Sequence, residues 1–245
     1  MTKEELFKTL KAKLGKLVEE NGLLDRSVDI RCKALSPEEA IGNTVRRDFP
    51  ILSGKEIMIQ AEFDGAIGQS FTSAPSEFSG KLRDVLDFDL LNDDRERNIF
   101  IAVLNAVMRY LGLADRTIHC RNEEPETCAG KVVDWLKANY DVSRVLLVGY
   151  QPAMLENLAK AFELRVLDLN PEFVGTVRYS VLVEDGIKKY ADAVDWAEII
   201  LCTGSTVGNG SMVDYIGLGK EVLFYGTSGA GAAQLLGLKR ICFAH

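Results

Sequence analysis

Short apolar runs that alternate with helical patterns in the second half of the chain constrain its fold most strongly. These strand-like runs cover residues 144–148, 164–169, 197–201, 221–225 and 240–243. Helical patterns separate most of them. Strands and helices that alternate at this spacing form βα units, which build a parallel sheet. The sequence therefore predicts a doubly wound α/β fold for this part of the chain.

The helical patterns have recognisable start signals. Residues 2–21 predict an amphipathic helix that begins with a capping box formed by Thr2 and Glu5. Further helices are predicted at residues 79–90, 93–111 and 127–140, from residue 152, and from about residue 211.

The first half of the chain also carries a period of two, which is typical of antiparallel strands. Alternation begins at Val28, and Asp64-Gly65 is predicted to join residues 56–63 and 66–71 in a hairpin. We therefore predict a small α+β domain at residues 1–120 and a parallel-sheet domain at residues 121–245. The polar segment around Pro125 marks the boundary.

Composition excludes several classes of protein. The 245 residues carry a net charge of −7, which argues against nucleic acid or a membrane surface as the partner. No apolar run approaches the ~20 residues that a membrane span needs. The five cysteines are an odd number without a CxxC motif, which is typical of a reducing compartment. We predict a cytoplasmic protein, and the sequence leaves homo-oligomer formation open.

Three of the predicted strands lead into loops rich in glycine and hydroxyl groups. The first loop is Gly149-Tyr150-Gln151, the second is CTGSTVGNGS at residues 202–211, and the third contains Thr227 and Ser228. Ligands of doubly wound sheets bind beyond the carboxyl ends of the strands, where these loops lie. The second loop offers polar side chains to a carboxylate, a phosphate or a hydroxylated ring: those of Thr203, Ser205, Thr206 and Asn209. Each loop is also explained by an ordinary strand-to-helix turn with a Ser or Thr cap, and the two roles can coexist.

The loops lack several known phosphate and nucleophile motifs. The chain has no GxxxxGK[ST], the first loop lacks GxGxxG, and no GxSxG surrounds Ser228. Asp168 lies nineteen residues beyond Gly149, where an acidic residue meets ribose hydroxyls in nucleotide-binding sheets. A simple turn through Asn170 and Pro171 explains this stretch equally well.

Residues 46–56 (RRDFPILSGKE) concentrate charge beside apolar residues. Such charges must pair with each other or with a ligand. Lys55 and Glu56 are candidates for electrostatic or acid–base roles, and Arg47 is a candidate ligand contact.

His119, Cys120 and Cys128 raise the possibility of a metal site, since imidazole and thiolate suit zinc, copper or iron. The spacing is poor because a closed zinc site needs four ligands, and a fourth is missing. Packing of a linker is the alternative explanation.

Several stretches together resemble the family described as "putative heavy-metal chelation", a prokaryotic family of unknown function. They are SPEEAIGNTVRRDFPILSGKE, FDGAIGQSFTSAP, HCRNEEPETCA, VLLVGYQP and CTGSTVGNG. The resemblance implies an enolase N-terminal-like domain followed by a Rossmann-like domain, with a cleft between them. It implies that the cleft is lined by Gly54, Lys55, Glu56, the 149–151 turn and the loop from Thr203 through Gly204 to Gly210.

The activity that the resemblance implies is metal chelation, or condensation or hydrolysis in the synthesis of pterin-, flavin- or siderophore-like molecules. The sequence lacks the glycine series expected of a methyltransferase that binds S-adenosylmethionine. No cofactor is identified.

Three hypotheses follow from these patterns. The first is an enzyme acting on a small, polar, heteroaromatic or chelating metabolite. The second domain binds the anionic part of this metabolite, and Lys55 and Glu56 supply electrostatic stabilisation and proton transfer. The second is a protein that binds or delivers a metal or metal chelate without catalysis, using His119, Cys120 or Cys128. The third is nucleotide binding for regulation, by analogy of fold.

Overall fold

The computed structural model describes residues 1–25, 30–54 and 56–243. The first part contains four helices, α1 to α4, at Lys3–Glu20, Pro37–Ile41, Leu82–Asp87 and Asp94–Tyr110. Its strands, β1 to β4, are Ile30–Leu35, Ile57–Phe63, Ala66–Thr72 and Phe78–Gly80, and a 3-10 helix covers Pro50–Ser53. Lys55 and Val28 lie outside the described residues.

The second part contains five helices and seven strands. Helices α5 to α9 are Glu124–Asn139, Pro152–Ala159, Tyr190–Trp196, Thr206–Asn209 and Ala230–Leu236. Strands β5 to β11 are Arg144–Val148, Glu163–Asp168, Val177–Arg178, Val181–Asp185, Ile199–Thr203, Glu221–Tyr225 and Arg240–Ile241. A second 3-10 helix covers Ser211–Tyr215.

The first sheet is antiparallel, with strand order β3-β2-β1-β4. The predicted hairpin is confirmed: Phe63 pairs with Ala66, and Asp64 and Gly65 have φ values of 49° and 79°. Two consecutive positive φ angles are what a tight two-residue hairpin turn requires. The predicted capping box of α1 is also present, since Thr2 accepts from the Glu5 N–H and Glu5 accepts from the Thr2 N–H.

The second sheet has strand order β11-β10-β9-β5-β6-β8-β7, in which only the short β7 runs antiparallel to its neighbour. Apolar residues of α5 and α6 cover one face, and those of α7, α8 and α9 cover the other. The predicted α/β class is therefore confirmed. The six parallel strands have the 3-2-1-4-5-6 order of doubly wound sheets, whose switch point here lies between β5 and β9.

Three local predictions are wrong for identifiable reasons. The predicted helix from about residue 211 is only a 3-10 turn, because Gly217 and Gly219 adopt φ values of 77° and 70°. Helix α5 begins at Glu124 rather than residue 127, since Pro125 fits a first helical turn. The helix predicted at residues 79–90 is shortened to Leu82–Asp87, because β4 occupies Phe78–Gly80.

Helix α4 connects the two sheets. Twelve consecutive residues of α4, 97–108, are buried. The helix packs on β2 and β3 on one side and on α8 and α9 on the other. One apolar cluster therefore runs from α1 through α4 to the second sheet. The predicted boundary at residues 120 and 121 stays a prediction, as do the enolase-like and Rossmann-like domain labels.

Among the described residues, no helix has both the length and the apolar character needed to span a bilayer. The cytoplasmic location stays a prediction.

Candidate functional site

A cavity of about 890 Å³ lies between the first part of the chain and the carboxyl ends of the parallel strands. Phe49, Pro50, Ile51 and Glu56 line it from the first part, so the 46–56 segment faces the predicted loops. The switch point between β5 and β9 opens into the same cavity, through Gly149 and Thr203.

Most of the predicted site residues lie in the cavity wall. Twelve of them line it: Glu56, Gly149, Tyr150, Gln151, Asp168, Asn170, Thr203, Ser205, Thr206, Asn209, Thr227 and Ser228. The metal candidates His119, Cys120 and Cys128 line it as well. Four others are not among the lining residues: Arg47, Gly54, Gly204 and Gly210. Arg47 instead borders a separate surface depression beside Tyr179.

Glycines bring the three loops into direct contact. Gly204 donates its N–H to the Tyr225 carbonyl at 2.7 Å, and a Cβ at Gly204 would lie 2.6 Å from the Gly229 nitrogen. Gly149 has a φ of 92°, and a Cβ there would lie 2.6 Å from the Thr203 Cγ2. The absence of a Cβ at Gly149 and Gly204 therefore lets the loops pack closely. The positions of the residues that line the cavity depend on this packing.

The loop hydroxyls are largely engaged within their own loop. The Thr206 hydroxyl donates to the Thr203 carbonyl at 2.7 Å, and the Thr203 and Ser205 hydroxyls are 2.9 Å apart. The Asn209 Oδ1 accepts from the Ser211 N–H at 2.8 Å. These side chains hold the loop in shape, although Ser205, the N-cap residue of α8, makes no side-chain capping hydrogen bond.

Glu56 lines the cavity at the end of the 46–56 segment. It lies just before β2 and is half-buried. Burial, followed by the nearby carboxylate of Asp168, raises the pKa of Glu56 to about 7. Glu56 therefore changes its charge close to neutral pH.

Asp168 faces the cavity from the carboxyl end of β6. Its Oδ2 accepts from the Tyr150 N–H at 2.6 Å, and its Oδ1 accepts from the Asn170 N–H at 2.7 Å. Burial raises the pKa of Asp168, and these N–H groups act in the opposite direction because they stabilise the carboxylate. The carboxylate is thus held in a fixed orientation.

The described part of the cavity wall is acidic. It contains the carboxyl groups of Glu56, Asp94, Asp168 and Asp214, and Arg97 is its only Lys or Arg among the described residues. Arg97 pairs with Asp94 and donates to the Gly208 carbonyl at 2.7 Å. This charge balance favours a neutral or cationic ligand, whereas the sequence suggested an anionic one.

Arg46 joins the first part to the second. Its guanidinium pairs with Glu126 and Glu156, and it also donates to the Tyr179 hydroxyl. These pairs raise the pKa of Arg46, with the Glu126 hydrogen bond as the largest cause. Ion pairs within the protein therefore account for the positive charge of Arg46 in the 46–56 segment.

Three cysteines that line the cavity pack together, Cys120, Cys128 and Cys242. The Cys120 S–H donates to the Cys128 sulfur, which lowers the pKa of Cys128 to about 7 and raises that of Cys120. His119 donates from Nδ1 to the Cys120 carbonyl at 2.7 Å, and burial lowers its pKa.

A protein-built metal centre does not fit this arrangement. Within residues 1–25, 30–54 and 56–243, no group of three or more His, Cys, Asp or Glu side chains is placed to hold a metal ion.

Asn105 supports the site but was not predicted from the sequence. Its buried Nδ2 donates to the carbonyls of Gln69 and Ser228, each at 3.0 Å, and to that of Thr227 at 3.2 Å. Its Oδ1 accepts from the Gly231 N–H at 2.7 Å. An amide within the apolar pattern of residues 93–111 is the signal that could have indicated this role.

Comparisons with known proteins agree with the predicted resemblance. No curated protein matches the chain. A family model described as "Putative heavy-metal chelation" (DUF364) matches residues 133–235. Two solved structures of DUF364 proteins of unknown function are similar to this chain. The one from Pyrococcus horikoshii has a TM-score of 0.55 and 16% identity, and the match covers 91% of this chain and 80% of that chain.

The structure from Desulfitobacterium hafniense DCB-2 has a TM-score of 0.47 and 14% identity, with 74% of this chain and 72% of that chain covered. At these identities, the Pyrococcus horikoshii protein supports the fold alone. The resemblance predicted from the motifs is confirmed, because residues 133–235 match the family of unknown function described as "Putative heavy-metal chelation".

Proposed function

We propose that the cavity binds a small polar metabolite and that Glu56 transfers protons to and from it. The observation that carries this proposal is a glutamate with a pKa of about 7 in the wall of an 890 Å³ cavity. Cavities of roughly 300–1,000 Å³ are typical of small-molecule sites. A general acid or base works best when its pKa lies near the operating pH.

Asp168 supports this role of Glu56. A second carboxylate nearby disfavours ionisation of Glu56, so Glu56 holds a proton over part of the neutral range. Asp168 itself is oriented by the N–H groups of Tyr150 and Asn170, which suits it to position a substrate hydroxyl. In this proposal Glu56 donates a proton to the substrate, whereas Asp168 accepts a hydrogen bond from a substrate hydroxyl and so holds the substrate in place.

The reaction class that fits is condensation or hydrolysis of a pterin-, flavin- or siderophore-like metabolite. Both reactions move protons at neutral pH, and a planar polar substrate suits a wall with apolar and acidic residues. Lys55, next to Glu56 in sequence, is proposed to add electrostatic stabilisation. The description of the matched family supports a link to heavy-metal chelation.

The test is a panel of pterins, flavin precursors and siderophore precursors, with products followed by mass spectrometry. The expected result is turnover of at least one compound, with an apparent pKa near 7 in the pH–rate profile. Glu56→Gln is expected to lower kcat by roughly 10²-fold or more while the compound still binds. Glu62→Gln, at an exposed position on β2, the strand that follows Glu56, is the matched control and is expected to keep the wild-type rate. A wild-type rate in Glu56→Gln would refute the assignment.

A second candidate is binding or delivery of a metal chelate without catalysis. It is favoured by the Cys120, Cys128 and Cys242 cluster in the cavity wall. The chelator would supply most metal ligands, because the described residues form no metal centre of their own. Elemental analysis of the purified protein tests this, with a Cys120→Ser/Cys128→Ser variant for comparison. Equal metal content in both proteins would remove these cysteines from the proposal.

A further inference from the structure

We propose that the cavity contains a nucleoside subsite at the carboxyl ends of β6 and β8, which takes a ribonucleoside without a 5′-phosphate. This inference rests on the proposed function and names one class of ligand for the same cavity. Three independent features support it: an oriented carboxylate, two exposed apolar side chains, and a helix N-terminus at which two backbone positions offer no free N–H.

The carboxylate is that of Asp168, at the end of the second strand of the 3-2-1-4-5-6 order. In such sheets an acidic residue at this place accepts hydrogen bonds from ribose hydroxyls. The two Asp168 oxygens accept the N–H groups of Tyr150 and Asn170, and the Leu169 N–H also stabilises this carboxylate. A carboxylate has about four lone-pair sites, so the group keeps capacity for at least one ribose hydroxyl.

Two apolar side chains lie beside this carboxylate. Leu169 and Ile187 both line the cavity, yet they are 51% and 79% exposed. The Leu169 side chain lies against Gly186, and Gly186 donates its N–H to the Asp168 carbonyl at 2.9 Å. Covering large exposed apolar side chains of a cavity wall with a flat ring is favourable, because their apolar surface is removed from water. A nucleobase attached to the ribose would do so.

The loop that carries Ile187 is held in place by its own hydrogen bonds. The Asp185 Oδ1 accepts from the N–H groups of Ile187 and Lys188, at 2.9 and 3.0 Å. Asp185 on β8 is also the neighbour of Asp168 on β6 in the register of the two parallel strands. These contacts place the loop that carries Ile187 next to the end of β6 that carries Asp168.

The neighbouring loop argues against a phosphate. Pro152 begins α6 and has no N–H, and the Gln151 side chain already accepts from the Met154 N–H. Two of the backbone positions with which a helix N-terminus grips a pyrophosphate in dinucleotide-binding sheets therefore offer no free N–H here. A phosphate would also meet the carboxyl groups of Glu56 and Asp168.

Calorimetric binding to the full-length protein tests the subsite with adenosine, guanosine, cytidine and uridine. At least one of them is expected to bind, and its 2′-deoxy or 3′-deoxy form is expected to bind roughly 10- to 100-fold more weakly. The 5′-monophosphate is expected to bind more weakly than the nucleoside. Binding of none of the four, equal binding of the 2′,3′-dideoxy form, or tighter binding of the monophosphate would overturn the proposal.

A pair of variants locates the site without disturbing the fold. Ile187→Ala is expected to weaken binding about tenfold, since an exposed side chain is truncated and one face of the base loses its cover. Val177→Ala removes an apolar side chain that is 66% exposed and is not among the residues lining the cavity, so binding is expected to be unchanged. Equal affinity in both variants would contradict the placement. Turnover that depends on Glu56 without nucleoside binding would refute this subsite and leave the proposed function intact.

Discussion

At the scale of single residues, Glu56 is placed where its charge costs stability. Its pKa rises from an ordinary 4.5 to about 7 on folding, so the folded chain binds the proton more tightly than the unfolded chain does. The protonated Glu56 carboxyl group therefore makes its full contribution to stability below about pH 4.5, and this contribution is lost as the pH rises to about 7. A group that destabilises the fold in this way is often retained for function.

Glu56→Gln is accordingly expected to raise the free energy of unfolding at pH 8, by on the order of 1–3 kcal/mol. The difference from wild type is expected to shrink to nearly zero by about pH 4.5. Urea denaturation of the two proteins across this pH range measures it, with Glu62→Gln as the exposed control. A pH-independent difference would contradict the raised pKa.

Alanine substitutions distinguish a glycine that a close loop contact requires, Gly204, from a glycine within a helix, Gly130. Gly204→Ala is expected to lower the free energy of unfolding by about 1–3 kcal/mol, because the new Cβ would lie 2.6 Å from the Gly229 nitrogen. Gly130→Ala is expected to raise it by about 0.4–1 kcal/mol, because no atom lies within 4 Å of the new Cβ and alanine favours the helix. Thermal and urea denaturation of both variants test the pair. Similar effects of the two changes would be inconsistent with the loop contact.

At the scale of elements, α4 holds the loop after β10 against the first sheet through the Asn105 amide. Asn105→Ala would leave the carbonyls of Gln69 and Ser228 and the N–H of Gly231 without this partner in a buried place. We expect a loss of about 2–4 kcal/mol in the free energy of unfolding. Asn139→Ala, at an exposed helix end, is expected to change it by less than about 0.5 kcal/mol. Urea titrations compare the two.

The sequence predicts those elements whose pattern is local. The hairpin at Asp64-Gly65 and the strands at 144–148 and 221–225 follow from turn chemistry and apolar runs. Strand β8 (Val181–Asp185) was missed because its apolar run covers only residues 181–183, of which Val183 alone is buried, and two acidic residues follow. Helix α7 (Tyr190–Trp196) is a short helix with one buried residue, which leaves little periodicity to detect.

The candidate site was predicted unevenly for the same reason. Loops after strands can be located from the strands, so Gly149, Asp168 and Thr203 are predicted with the sheet. Asn105 could not be, because its contacts with Ser228 and Gly231 lie more than a hundred residues away in sequence and depend on how α4 packs against α9. The hydroxyls of the second loop were predicted at the right place, although their hydrogen bonds serve the loop.

At the scale of the whole molecule, the continuous core predicts that the two parts unfold together. Trp135 and Trp196, the chain's two tryptophans, both lie in the second part, so fluorescence reports on that part alone. Far-ultraviolet circular dichroism reports on both parts. We expect the two urea transitions to coincide, because α4 is buried between the sheets. A fluorescence midpoint displaced from the dichroism midpoint would show independent domains.

The burial of α4 also limits which fragments of the chain could fold on their own. A fragment confined to residues 133–235, the span that the family model matches, would keep α8 and α9 but discard the helix that covers them. Expressed alone, it would present their bare apolar face to solvent and invite aggregation. The segment that matches the family model is therefore not expected to fold as an independent domain.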